Sequence, residues 1–218
     1  MKKLFLAAAG ALYAAFLTLD LLGVYSTLSA GLKYASIVLV LLAGLTALRT
    51  CDGKAVAAAL LLTATADVFL LLLNRHYAVG ILLFLCVQAV YTCRLCALGE
   101  VNLTLHLTVR AMLAGFAALF AGARLGGIET LAAAYIVWFF MNLAHSVALA
   151  AQARTKRTLR FAAGLALFFL CDLCVGVHNL PPNALSSFAG IAMWMFYLPG
   201  QVLIVLSTDC FGGLHETI

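Results

Sequence analysis

The stretch Leu60–Asn74, LLLTATADVFLLLLN, decides the fold. From Ala55 to Asn74 the chain carries one charged side chain, Asp67, and no basic residue. An apolar run of this length reads as a membrane-spanning helix, which needs about 20 residues to cross a bilayer core of about 30 Å. A carboxyl at the centre of such a helix costs about 2.5–3.5 kcal/mol on insertion scales. The stretch Phe168–Asn179, FFLCDLCVGVHN, repeats the oddity at Asp172. A sequence that places two carboxyls where they are so costly points to a shared functional site in the membrane. The competing reading is structural, with neutral hydrogen-bonded acids joining helices.

The rest of the chain supports the membrane reading. It has 218 residues, of which 66% are hydrophobic and 10% charged, with a mean hydropathy of +1.12. Soluble domains average about 45–50% apolar and about 25% charged. Apolar runs near 4–22, 32–48, 55–73, 78–97, 104–123, 127–150, 159–179 and 186–207 predict an all-α bundle of eight transmembrane helices. Turn and charge signals such as RTCDGK, NRHY, ARTKRTLR and NLPPN separate them. Little sequence is left outside the bilayer, so residues 1–218 are expected to form one integral membrane domain. The N-terminal run reads as a first spanning helix rather than a signal peptide. Arg110 falls inside the fifth helix and must snorkel or pair.

The 13 basic residues orient the bundle. With the N-terminus inside, Lys2, Lys3, Arg49, Lys54, Arg94, Arg110, Arg154, Lys156, Arg157 and Arg160 fall on or nearest the inner side, against Lys33, Arg75 and Arg124 outside. The positive-inside rule then predicts both termini in the cytoplasm, in a multi-pass protein of the plasma or inner membrane if the source is bacterial. Asp67 follows Lys54 by about 20 Å of helix and Asp172 follows Arg160 by about 18 Å. The two carboxyls are therefore expected at matching depth. The net charge of +5 is scattered between apolar blocks, a pattern that suits topology and not nucleic-acid binding.

Polar residues recur around both acids. Asn74 follows Asp67, and Asn179 follows Asp172, each by two helical turns, so each pair is expected on one face. The next helices carry Gln88 with Tyr91 and Tyr197 with Gln201, each pair one turn apart. This suggests a weak parallel repeat of four helices. Asp20 and Lys33 both fall near the outer face; Lys33 is read as a pair for Asp20, an interfacial anchor or a contact for a lipid phosphate. The seven cysteines predict free thiols packed as small hydrophobes. The pairs Cys93/Cys96 and Cys171/Cys174 lie toward opposite ends of their helices and do not form a zinc set, so no metal is expected.

The segments ALLLTATADVFLLL and GILLFLCVQAVYTCRL, with Asp67, Gly80, Phe84 and Tyr91 in order, resemble the YhhN-type lysoplasmalogenase family. GLALFFLCDLCVGVHNL and MWMFYLPGQVLIVLS, with Phe169, Asp172, Tyr197 and Gln201, resemble that family's last two helices. LKYASIVLVLL, opening on Lys33, resembles its second. Gln88 stands where the family often has His, and Cys171 where it usually has Ser. The resemblance implies hydrolysis of the vinyl ether bond of lysoplasmenyl-ethanolamine or lysoplasmenyl-choline. The products are a fatty aldehyde and a glycerophospho-amine. It implies Asp67 and Asp172 as the acid–base pair, with Lys33, Asn74, Gln88, Tyr91, Asn179, Tyr197 and Gln201 binding substrate or supporting the acids. The substrate partner is a lysophospholipid drawn from the bilayer, and no cofactor is required. The chemistry suits the residues, since protonating the vinyl ether needs an acid while the cation that forms needs a carboxylate. A proton-coupled transporter is the rival class, against which the sequence shows no break in the helix at either Asp; a non-catalytic lipid-binding protein is the third.

Overall fold

The computed structural model describes residues 1–24 and 26–208. Among them it is all helical: α1 (Lys2–Leu21), α2 (Thr27–Leu45), α3 (Cys51–Asp67), α4 (Tyr77–Gly99), α5 (Leu103–Gly122), α6 (Gly127–Ala153), α7 (Lys156–His178) and α8 (Ala184–Leu206). A short π-helical turn, Val68–Leu72, continues α3 directly after Asp67. All eight helices are long and apolar enough to cross a membrane. Helices satisfy their backbone groups internally, which is what a lipid environment demands.

The helix starts are written in the sequence. Ser26, Thr50, Asn102, Thr155 and Asn183 each accept a hydrogen bond on the side chain from a backbone N–H in the first turn. Such caps satisfy donors left over at a helix start. They lengthen two helices beyond the apolar runs. α2 begins at Thr27, not 32, and α3 at Cys51, not 55, because the caps recruit polar residues that hydropathy alone leaves in the loops. Lys33 consequently lies within α2, between one and two turns from its start. Left-handed residues at Glu100 and Arg154 end α4 and α6.

The helices α3, α4 and α8 form the interior, and α1 and α5 are the most peripheral. α7 and α8 cross closely at Gly164 and Gly200. A Cβ on Gly164 would meet Ile204 Cγ1 at 2.8 Å and the Gly200 carbonyl oxygen at 2.9 Å. Pro199 lies inside α8 and lacks an N–H. The Met195 carbonyl one turn earlier instead accepts the Tyr13 hydroxyl at 3.3 Å. Gly164→Ala is expected to destabilise the protein by about 1–3 kcal/mol, the usual cost of overpacking a tight crossing, seen as a lower denaturation midpoint in detergent.

At the end of the bundle that carries the N-terminus, Asp52 anchors α3 to α4 and α7. It accepts from Arg94 Nε at 2.7 Å and Arg94 Nη2 at 3.0 Å, and pairs with Arg157 Nη2 at 2.8 Å. Arg94 also donates to Ser207 Oγ at 2.8 Å and lies 4.1 Å from the Phe161 ring centroid.

Candidate active site

Asp67 is the last residue of α3 and is buried. Its Oδ2 accepts a hydrogen bond from the Tyr197 hydroxyl of α8 at 2.5 Å. Asp172 of α7 is only partly buried, and its Oδ2 accepts from the Tyr135 hydroxyl of α6, also at 2.5 Å. Each carboxyl is thus held by one tyrosine hydroxyl donated from a neighbouring helix. The two carboxyls are close enough to interact electrostatically, and the Tyr197 hydroxyl is within range of both. The site thus joins four helices, each giving one residue.

Aromatic rings fill the space between the two pairs. Phe168 packs on Tyr197 with centroids 5.6 Å apart and on Phe84 at 5.6 Å, and Phe84 lies 6.0 Å from Tyr135. Faces of aromatic rings carry negative charge density and favour a nearby cation. On the other side, Trp194 meets Tyr197 edge-on at 5.6 Å. Lys33 Nζ stands 4.8 Å from the Trp194 ring centroid and pairs with Asp20 at 2.7 Å. Asp20 also accepts from Ser29 Oγ at 2.8 Å. Lys33 lines an open groove with Ser26, Thr27, Ser29, Ala30 and Leu72. The Trp194 and Tyr197 rings therefore stand between the Lys33–Asp20 pair at this groove and Asp67.

Gln88 and Tyr91 of α4 and Gln201 of α8 are fully buried. Gln88 Oε1 accepts from Asn142 Nδ2 of α6 at 3.0 Å, while Gln88 Nε2 makes no hydrogen bond among the described residues. Both side-chain atoms of Gln201, the Tyr91 hydroxyl and the Thr63 hydroxyl make no hydrogen bond among the described residues. Thr63 and Gln201 lie at the same level of the bundle by register. Each lies one turn from the Asp67–Tyr197 bond in the same direction, and two turns along Leu60 and Val205 meet at Gly44. This places unpartnered polar groups of Thr63 and Gln201 one turn from the Asp67–Tyr197 bond, while Tyr91 packs on Phe161 farther along the bundle.

Asn74 and Asn179 lie apart from this centre. Both are exposed. The π turn after Asp67 breaks the two-turn spacing that would return Asn74 to the same face; Asn74 has φ of 48° and accepts from Tyr77 Oη at 2.7 Å. Asn179 caps the end of α7 by donating to the Val175 carbonyl at 2.8 Å. The π turn also corrects the expectation of a regular helix at Asp67: π segments are rare and concentrate at functional sites.

The sequence reading missed Tyr135 and Asn142. The signal was present: Tyr135, Trp138, Asn142 and Ser146 form one polar-edged stripe on an otherwise apolar helix. A strict four-helix repeat would give Asp172 a tyrosine from α4; its partner, Tyr135, comes from α6.

No curated protein and no solved structure matches the chain. A family model does, over residues 28–208, a span that holds both acids, both bonded tyrosines, Lys33, Gln88 and Gln201. The chain belongs to the YhhN family.

Proposed function

We propose that the protein is a lysoplasmalogenase, a hydrolase that cleaves the vinyl ether bond of a lysophospholipid, in a bundle whose two termini face the cytoplasm. The observation that carries the reading is the pair of intramembrane carboxyls, each gripped by a tyrosine hydroxyl at 2.5 Å and separated by aromatic rings. Membership of the YhhN family supports it.

Vinyl ether hydrolysis begins with proton transfer from a carboxylic acid to the β-carbon of the double bond. The π electrons form the new C–H bond, and the ether oxygen shares its lone pair with the α-carbon, giving an oxocarbenium ion. The second carboxyl, as carboxylate, and the ring faces stabilise that cation. Water then adds to the α-carbon and gives its proton to the carboxylate. The hemiacetal collapses to the aldehyde and the glycerol hydroxyl, and a proton returns to the first carboxyl, so the enzyme ends as it began. The division of labour resembles that of glycosidases. Gln201 and Thr63 offer the unpaired groups that position the water, and Lys33 takes the lipid phosphate at its groove.

Purified protein should release aldehyde from a lysoplasmenyl lipid and none from the saturated-ether analogue, which lacks the carbon to be protonated. Release from neither by folded protein rejects the reading. The water site makes a second prediction. Gln201→Leu removes the amide that holds the water, so turnover should fall while the denaturation midpoint in detergent stays near that of the wild type.

The π turn at Asp67 favours a second reading, proton-coupled transport, because irregular helices mark many transport sites. Substrate uptake into vesicles that depends on a pH gradient, without aldehyde release, selects it.

A further inference from the structure

Of the eight helices, α5 buries the least of its surface. It packs on α6 and α4. Its buried side chains are Arg110, Ala114 and Ala121, while Met112, Phe116 and Leu119 are exposed. Two alanines give little apolar burial, so Arg110, 2% exposed, is the one long side chain that fastens this helix inside the bundle.

The fastening is made of neutral acceptors. Arg110 Nη1 donates to His106 Nδ1 at 2.9 Å and to the His106 carbonyl at 3.2 Å, one turn back on α5. Its other two contacts cross to α6: Nη2 donates to His145 Nδ1 at 3.1 Å, and Nε donates to Asn142 Oδ1 at 2.9 Å. Asn142 is itself fixed to α4, accepting from the Thr92 hydroxyl at 2.9 Å and donating to the Gln88 carbonyl at 2.8 Å. An arginine can only donate. Both imidazoles therefore accept at Nδ1 and carry their proton on Nε2. The rings stack, with centroids 4.8 Å apart. No carboxylate pairs with Arg110 or with either ring among the described residues. From α4, the Cys96 thiol is close enough to Arg110 to act on it electrostatically, and Cys93 acts on Cys96. A Cβ on Gly99 would lie 3.8 Å from His145 Nε2, and Glu100, which follows it, is exposed.

A proton on either Nδ1 removes an acceptor, turns a donor toward a donor and adds a positive charge beside a buried cation. A displaced α5 leaves both rings free to bind protons. The docked state thus holds fewer protons than the displaced one and loses ground as the pH falls through the histidine range. We infer that His106, Arg110 and His145 form a pH-sensitive latch that pins α5 to the bundle and releases it in acid. The release alters the flank of the candidate site. Leu113 and Phe116 of α5 line an apolar groove with Ile136 and Phe140 of α6 and Phe169 of α7. Phe169 packs on Phe139 at 5.3 Å, and Phe139 on Tyr135 at 5.8 Å, so one ring separates the groove from the tyrosine that holds Asp172. The latch stands whether or not the protein is a hydrolase.

Two measurements without substrate test it. Nitrogen NMR of protein labelled in its imidazoles, with His106→Asn and His145→Asn assigning the signals, reads the tautomers. At about pH 8 both rings should carry a proton on Nε2 and none on Nδ1; a proton on Nδ1 of either overturns the latch. Spin labels at Met112→Cys on α5 and Leu170→Cys on α7, with the native cysteines replaced by Ala in every sample, read the helix. Their separation should be single-valued at about pH 8 and gain a longer component at about pH 5, the span over which histidine changes charge. The paired variant His106→Asn with His145→Asn keeps oxygen acceptors for Arg110 but takes no proton, so the longer component should be absent at both pH values. Arg110→Gln should show it at both; if that variant does not fold, the paired histidine variant decides. A separation that ignores pH in the wild type, or a longer component that still appears in acid without the two histidines, overturns the inference.

Discussion

Replacing Asp67 with Asn should slow aldehyde release by roughly 10²–10⁴-fold, the usual contribution of a general acid, without unfolding the protein. The amide matches the carboxyl in size and keeps an oxygen to accept the Tyr197 hydroxyl, so the α3–α8 contact survives. What it lacks is a transferable proton. Asp172→Asn should lose activity on a similar scale, because an amide can neither give up the proton nor carry the charge that stabilises the cation. Measuring kcat for each variant beside its denaturation midpoint in detergent separates the chemical loss from a folding defect. Full activity in both variants removes the acid–base mechanism.

Asp52→Asn should give the largest loss of stability, about 3–5 kcal/mol, the cost of breaking a buried ion pair by removing one partner. The carboxylate stands between Arg94 and Arg157. Without its charge the two guanidiniums are held side by side, with the Arg94 side chain only 1% exposed. The loss reaches beyond the local contact, because Arg94 also binds Ser207 at the end of α8, the helix that presents Tyr197 and Gln201. A denaturant titration in detergent measures it. The double variant Asp52→Leu with Arg94→Met should recover part of the loss, since it leaves one buried cation fewer; equal stability of Asp52→Asn and wild type contradicts the account.

How far the sequence could be read follows from which forces act. The bilayer selects for length and apolarity, so eight spans stand out from composition alone, and the cost of a buried carboxyl makes Asp67 and Asp172 visible within them. Helix starts were displaced because Ser26 and Thr50 cap the chain with polar side chains that a hydropathy window assigns to loops. The partners of the acids were harder to read. Tyr197 was legible one turn from Gln201, but Tyr135 sits in a helix whose acid, Glu129, is exposed in the first turn, and only the three-dimensional crossing of α6 with α7 brings it to Asp172. Spacing arguments for Asn74 failed because they assume a uniform helix, and the π turn at Val68–Leu72 is not encoded by any periodicity in the run. Arg110, inside the fifth helix, needs a partner on the sequence alone; that its partners are His106, His145 and Asn142 required the side-chain geometry.

The central claim is that a carboxyl protonates the carbon of a vinyl ether. Turnover of a lysoplasmenyl lipid in D₂O, with the aldehyde trapped as it forms, tests it most directly. Proton transfer to the β-carbon predicts one deuterium on the carbon next to the aldehyde group, and slower turnover than in H₂O. Aldehyde that carries no deuterium at that carbon contradicts it.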